Sequence, residues 1–260
     1  MSKTYWQDRM QEQQRALTQR RIDEMDEQIK KYYRSTSKKV IQEFENTYNS
    51  ILAQLDKDQE PSPALLYKLD TYWKLQATCN RELESMGDRT IKALTKQFII
   101  TFQEVYDSYA LPSGAHWSTL DKGSIEQMIN QIWVADGKSW SARVWDNTAD
   151  LQETLNNELL HIVVAGKKGT ELKQLLQERF NVSYHRANAL VETEVAHIQT
   201  QAAKTRYKDA GITKVQIWAD FDERRCDECG QYHKKIYDIN APLPLPLHPR
   251  CRCTIVPVIE

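Results

Sequence analysis

Helix breakers are scarce in this chain. Only 8 glycines and 8 prolines are spread over 260 residues, which excludes a fold of many short strands and favours long helices. Extended apolar runs are also missing. No stretch reaches the roughly 18 apolar residues of a transmembrane helix, so none is expected. Net charge is nearly absent, with 35 Lys+Arg against 36 Asp+Glu, so the molecule as a whole predicts no strong pull toward nucleic acid. The opening run Met1–Arg9 lacks the apolar core of a signal peptide, and the chain is expected to be made in the cytosol and to stay there unless packaged. Thiols remain reduced in that compartment.

What is present is helical periodicity. Residues 4 to about 58 read as one long helix or two nearly collinear ones. Apolar positions recur at Trp6, Met10, Leu17, Ile29, Tyr33, Val40, Phe44, Ile51 and Leu55, with no glycine or proline between Thr4 and Leu55. Residues 1–60 hold 11 Lys+Arg and 11 Asp+Glu, the pattern of a solvated helix face. Such a helix cannot bury its stripe alone and needs partner helices, from this chain or from a second copy. Pro61-Ser62-Pro63 breaks the pattern, with Ser62 as N-cap and Pro63 as first helical residue. Helices are then expected to about Ser85 and from Arg89 to Tyr109, separated at Gly87-Asp88. Leu111 to Gly114 reads as a loop.

Trp117, Trp133, Trp140 and Trp145 crowd residues 115–150 and indicate core packing or a buried interface. Asp121 and Ser139 look like helix caps, with a helix from Trp140 to Ala165. Gly166 to Thr170 punctuates without the spacing of a phosphate loop. Two helices are expected next, Thr170–Phe180 and Ser183–Asp209, with Asn181-Val182 as a tight turn. That pair looks like a helix-turn-helix, a weak signal in a helical chain. Ala210-Gly211 caps the last helix. Beyond it the period changes to two. Lys214 to Asp220 reads as a strand, with Ile236-Tyr237 and Cys253 to Val256 as partners. Three regions are expected: a long-helix arm over 1–114, a helical domain over 115–210, and a small Cys/His-rich β lobe over 211–260.

Four of the five cysteines lie in that lobe, as Cys226-x-x-Cys229 and His248-x-x-Cys251-x-Cys253. Thiolate and imidazole ligands at these spacings form tetrahedral zinc sites. Cys226, Cys229, His248 and Cys251 make the best set, since both knuckles are compact. Cys253 is an alternate ligand in place of His248 or Cys251, or a buried thiol, and His233 is a further donor. A cluster without metal, reduced or disulfide-linked, is the other reading. A lobe this small needs a staple or a surface to dock on. Asp220 and Asp222, with His248 as base, would suit a zinc-dependent nuclease or nucleic-acid-binding protein. That chemistry needs an open metal position, and here enough soft ligands exist to close the site. Asp222 and Arg225 read instead as a turn and an ion pair shaping the lobe. Residues 204–253 carry 10 Lys+Arg against 7 Asp+Glu, which permits phosphate contact without requiring it. Cys79, His116, His161, His185 and His197 read as ordinary helix residues.

Three blocks in order resemble the phage Mu F-like family of minor head proteins, also called the phage head morphogenesis family, over about 172–258. They are Arg186 to Glu194, with Glu192 where the family often has Arg; Trp218 followed by Asp222-Glu-Arg-Arg225-Cys226-Asp-Glu-Cys229; and His248-Pro-Arg-Cys251-Arg252-Cys253. A glycine common in the family after the second cysteine is replaced in the expected turn by Lys234-Lys235. Trp218, Asp222, Arg225 and Arg252 are the motif's structural residues. The resemblance implies a virion protein, present in few copies at the portal vertex or capsid interior and linked to head assembly, DNA packaging or DNA delivery. Its implied partners are the portal protein and scaffolding or major capsid protein, with contact to packaged DNA and self-association as further expectations. It implies no catalytic activity and no membrane, and no enzymatic domain is expected after Glu260. Taken together, a mainly α fold is expected, long helices feeding a helical domain, with a small zinc-stapled β lobe.

Overall fold

A computed structural model describes residues 3–54, 70–108, 120–165, 169–219 and 226–258. Among them are six helices: α1 (Lys3–Gln54), α2 (Asp70–Ser108), α3 (Lys122–Ile129), α4 (Trp140–Val164), α5 (Gly169–Asp209) and α6 (Asp227–Tyr232). Three strands complete the set: β1 (Lys214–Trp218), β2 (Ile236–Asp238) and β3 (Thr254–Pro257). The expected mainly α fold with a small C-terminal β lobe is what is found. The breaks placed at Pro61–Pro63 and Leu111–Gly114, and Trp117 with them, lie outside the described residues. No described helix is long and apolar enough to cross a membrane.

The chain forms two compact units. One is built from residues 27–92 and 141–188, the other from residues 1–26, 93–140 and 189–260. In the first unit four helical segments meet on regular stripes. On α1 the buried positions Ile29, Tyr33, Thr36, Val40, Phe44, Thr47 and Ile51 follow steps of three and four, the period that keeps one face inward. On α2 the stripe is Tyr72, Leu75, Cys79, Leu83, Met86 and Thr90. It passes straight through Gly87, so the break expected there is absent. Gly87 is a contact glycine: a Cβ added to it would stand 2.7 Å from the ring of Trp145, and the helix gives up side-chain bulk to admit that ring.

The turn expected at Asn181-Val182 is absent too, and with it the helix-turn-helix. α5 is continuous, and Leu172, Leu176, Phe180, Ser183, Ala187 and Val191 form one stripe across the supposed gap. Ser183 is no N-cap. Its hydroxyl lies 3.4 Å from the Tyr33 hydroxyl, and its carbonyl accepts from Asn147 Nδ2 at 2.9 Å. Asn181 and Val182 face outward, where poor helix formers cost little.

In the second unit Leu94, Phe98, Phe102, Val105, Ile125, Ile129, Trp140, Val195, Ile198 and Tyr207 are buried. Trp140 meets Phe98 edge-on at 5.1 Å, the core role expected of it. Asp121 caps α3 as expected, accepting from Ser124 N at 3.0 Å. α5 ends at a left-handed Gly211 (φ 75°), whose N–H reaches Lys208 O, while Ile212 N reaches Tyr207 O. That cap turns the chain into an antiparallel sheet of order β2-β1-β3, with Val215 opposite both Tyr237 and Pro257 and Trp218 opposite Thr254. The sheet is tied to α5 by Tyr207 Oη donating to Ile255 O and by Lys204 Nζ donating to Ala241 O.

Candidate metal centre

The two knuckles are built by different local geometries. Cys226 is the N-cap of α6, in extended backbone, and its sulfur accepts the Cys229 N–H at 3.3 Å. A cap donor aimed at sulfur favours thiolate, and the Cys226 pKa is lowered chiefly by that bond. One helical turn on, Cys229 points to the same side and is buried. The second knuckle turns at Arg250, whose φ of 61° is left-handed. It is held there by Arg250 N donating to Thr193 Oγ1 at 3.0 Å and by the Arg250–Glu192 pair at 3.6 Å. Glu192 and Thr193 of α5 thus hold the closing loop.

These turns bring the donors together. His248 Nε2 lies 3.3 Å from Cys226 Sγ and 3.1 Å from Cys229 Sγ, and Cys229 Sγ lies 3.9 Å from Cys251 Sγ. Two overlapping triads result, Cys226–Cys229–His248 and Cys229–Cys251–Cys253, with Cys229 common to both and all donor atoms of each triad within 4.8 Å of one another. His248 Nδ1 is 2.8 Å from the Pro249 carbonyl. A donor N–H there leaves the Nε2 lone pair facing the sulfurs, the tautomer a metal ligand requires. None of the four cysteines is in a disulfide. Cys226, Cys229, His248 and Cys251 do not all fall within 4.8 Å of one another; each triad by itself offers three ligands of the kind that suit a borderline-soft cation.

The electrostatics are those of sulfurs competing for one site. Burial pushes the Cys229 thiol up to about 12. The hydrogen bond with Cys253, joined by backbone donors, takes Cys251 down to about 5, and the same bond holds Cys253 far up as a thiol. Burial pulls His248 down, but the Pro249 carbonyl and the Cys251 and Cys226 sulfurs raise it on balance. A divalent cation would reverse this arrangement by favouring thiolate at every ligand.

Of the motif residues, Trp218 is buried at the end of β1, edge-on to His233 at 5.0 Å. His233 Nδ1 accepts from Ala219 N at 3.2 Å, and among the described residues it joins neither triad. Arg252 is half-buried beside the cluster, while Asp222 and Arg225 lie outside the described residues. His197, read as an ordinary helix residue, is buried and stacked on Trp133 at 4.4 Å, with Trp133 Nε1 donating to Glu194 Oε2 at 3.1 Å.

Residues 153–256 match the family model of phage Mu protein F like protein. The matched span takes in the second half of α4, all of α5, both knuckles and all but the last residue of β3, so the candidate metal centre falls inside the matched region. This match points to a phage head morphogenesis protein and to association with the virion. No curated protein and no solved structure matches the chain. The phage Mu F-like span leaves α1 and α2 outside it. The cluster also opens onto a cavity that the sequence did not announce, with walls from α1 (Arg15, Thr18, Gln19) and α5 (Ala196, Gln199). Nothing in the spacing of α1 marks those positions, because their role depends on which helix they meet.

Proposed function

We propose that the chain is a phage minor head protein that acts at the portal vertex or capsid interior during head assembly, DNA packaging or DNA delivery. The observation that carries this reading is the phage Mu F-like match, which encloses the whole donor cluster. Its work is association, and no catalytic step is assigned to it. The portal protein is the proposed main partner, with scaffolding or major capsid protein and packaged DNA as further contacts. The long helices offer surface for docking or for a second copy. Zinc held by Cys226, Cys229, His248 and Cys251, with Cys253 as alternate ligand, staples the lobe; a closed set of this kind is structural.

Quantitative mass spectrometry of purified heads tests the assignment. A few copies per head, retained with the portal, is the expected result. Absence from heads at every assembly stage would overturn it. The staple is tested separately by metal content and thiol titration on reduced protein. We expect one zinc per chain, with thiols that react only after chelation, and loss of the folded lobe in Cys226→Ser or Cys251→Ser.

A further inference from the structure

Cys253 is the donor that a four-ligand zinc leaves unused. The proposed staple takes Cys226, Cys229, His248 and Cys251, yet Cys253 stands with Cys229 and Cys251 in a triad of its own, its sulfurs all within 4.8 Å of one another. Cys229, Cys251 and Cys253 are 5%, 3% and 4% exposed, whereas Cys226 and His248 are half-buried. The two triads therefore differ in chemistry. One is partly exposed and mixes sulfur with nitrogen; the other is buried and all sulfur.

Ligand class selects the ion. Imidazole beside thiolate suits zinc, while a set of thiolates alone suits copper(I) as well. Zinc in a structural site takes four ligands; copper(I), a soft ion with a filled d shell, accepts three thiolates in a plane. At a metal–sulfur bond of about 2.3 Å, sulfurs lie about 3.8 Å apart around a tetrahedral ion and about 4.0 Å apart around a trigonal one. Cys229 Sγ and Cys251 Sγ are 3.9 Å apart, an edge that serves either ion, so these two thiolates can bridge a pair of them.

The charge agrees. Zinc with three thiolates and a neutral imidazole counts formally as −1 while Cys253 keeps its proton. Copper(I) takes the place of that proton: the Cys253 S–H bond breaks, an S–Cu bond forms, and the proton leaves to solvent. Neither sulfur nor copper changes oxidation state, and the formal count stays at −1. A second zinc would find three sulfurs where it requires four ligands. A path for the ion exists, since Cys229, Cys251 and Cys253 line the cavity of about 710 Å³ beside the cluster.

We propose that Cys229, Cys251 and Cys253 form a second metal position, a three-thiolate site for copper(I) that shares Cys229 and Cys251 with the zinc. It rests on the zinc reading above, because zinc is what sets Cys253 aside.

Full-length reduced protein carrying its zinc is titrated without oxygen with copper(I), buffered by the chromophoric chelator bicinchoninate, and both metals are counted per chain after desalting. One copper held beside one retained zinc is the expected result. X-ray absorption at the copper edge should show three sulfur neighbours and no nitrogen, while the zinc edge keeps its nitrogen. Cys253→Ala should retain zinc and lose copper. Cys79→Ala, a change at a buried thiol of the other unit, should alter neither count. The proposal fails when the chelator keeps all the copper, when copper enters only as zinc leaves, when nitrogen appears around copper, or when Cys253→Ala binds copper as wild type does. If Cys253→Ala loses its zinc, the neighbours of copper in the wild type decide. Protein that never holds zinc overturns the staple and this proposal with it; zinc bound without copper overturns this proposal alone.

Discussion

Three residues carry strain or burial that single substitutions can read. Gly87 sits in mid-helix, where alanine ordinarily gains about 1 kcal/mol. Here a Cβ would meet Trp145 at 2.7 Å. Gly87→Ala should therefore stabilise only in a Trp145→Ala background, and a double-mutant cycle by urea unfolding measures the coupling; equal effects in both backgrounds would refute the contact role. Lys234 occupies the turn where the family often has glycine, at φ 66°. Lys234→Gly should be more stable than Lys234→Ala by about 1 kcal/mol. Both lose the ammonium over the Trp218 ring, so their difference isolates the backbone. His197 is buried, and desolvation takes it to about 4 against an ordinary 6.5, with a Leu245 backbone hydrogen bond opposing. The unfolded chain then binds the extra proton first. Stability rises with pH between about 4 and 6.5, and up to about 3 kcal/mol is lost as pH falls through that window. In His197→Phe, which keeps a ring against Trp133, the melting temperature should fall less over that window than in wild type.

At the scale of elements, α1 changes character along its length. From Met25 onward its buried face is mostly apolar, but among the described side chains before that it is Gln11, Gln14, Thr18 and Arg21. Gln14 Nε2 donates to Ser108 Oγ, Thr18 to Gln199, and Arg20 and Arg21 both donate to Glu104. The hydrogen bond from Arg21 is the leading cause that holds Glu104 below the usual carboxylate range. A depressed carboxylate stabilises above its unfolded pKa and is lost as pH falls through the folded one. Glu104 is a third exposed, which limits the pair to about 1 kcal/mol. Hydrogen exchange should thus be faster over residues 9–21 than over 29–51, and Glu104→Gln should accelerate only the former. This polar seam also explains what the sequence hid. Periodicity left one long helix or two nearly collinear ones over residues 4 to about 58, and α1 is a single helix over Lys3–Gln54. It said nothing of Arg15 or Gln199 as cavity walls, because a polar residue on a buried face looks like one on a solvated face. The same blindness produced the false turns: Gly87 and Asn181-Val182 have the composition of breaks, and only Trp145 and the Tyr33–Ser183 contact show why the helices continue.

Across the whole molecule, legibility follows the range of the forces. The lobe's strands and cysteine knuckles are local grammar, and β1, β2 and β3 lie where alternation placed them. Which sulfurs share a site depends on the left-handed turn at Arg250 and its anchors Glu192 and Thr193 on α5, a long-range matter. The consequence is a division of stability. Strands of 5, 3 and 4 residues are too short to hold a sheet by themselves, so under the proposed zinc reading the lobe depends on metal. The unit of residues 27–92 and 141–188 has its own apolar stripes and contains none of the four clustered cysteines. Chelation should release exchange protection over 214–218, 236–238 and 254–257, while the stripes of residues 29–51, 72–90 and 172–187 keep theirs. Protection lost equally everywhere would make the metal a global rather than a local support. No loss anywhere would show that Tyr207, Lys204 and the apolar contacts of Val215, Ile217 and Ile255 hold the sheet on α5 without it.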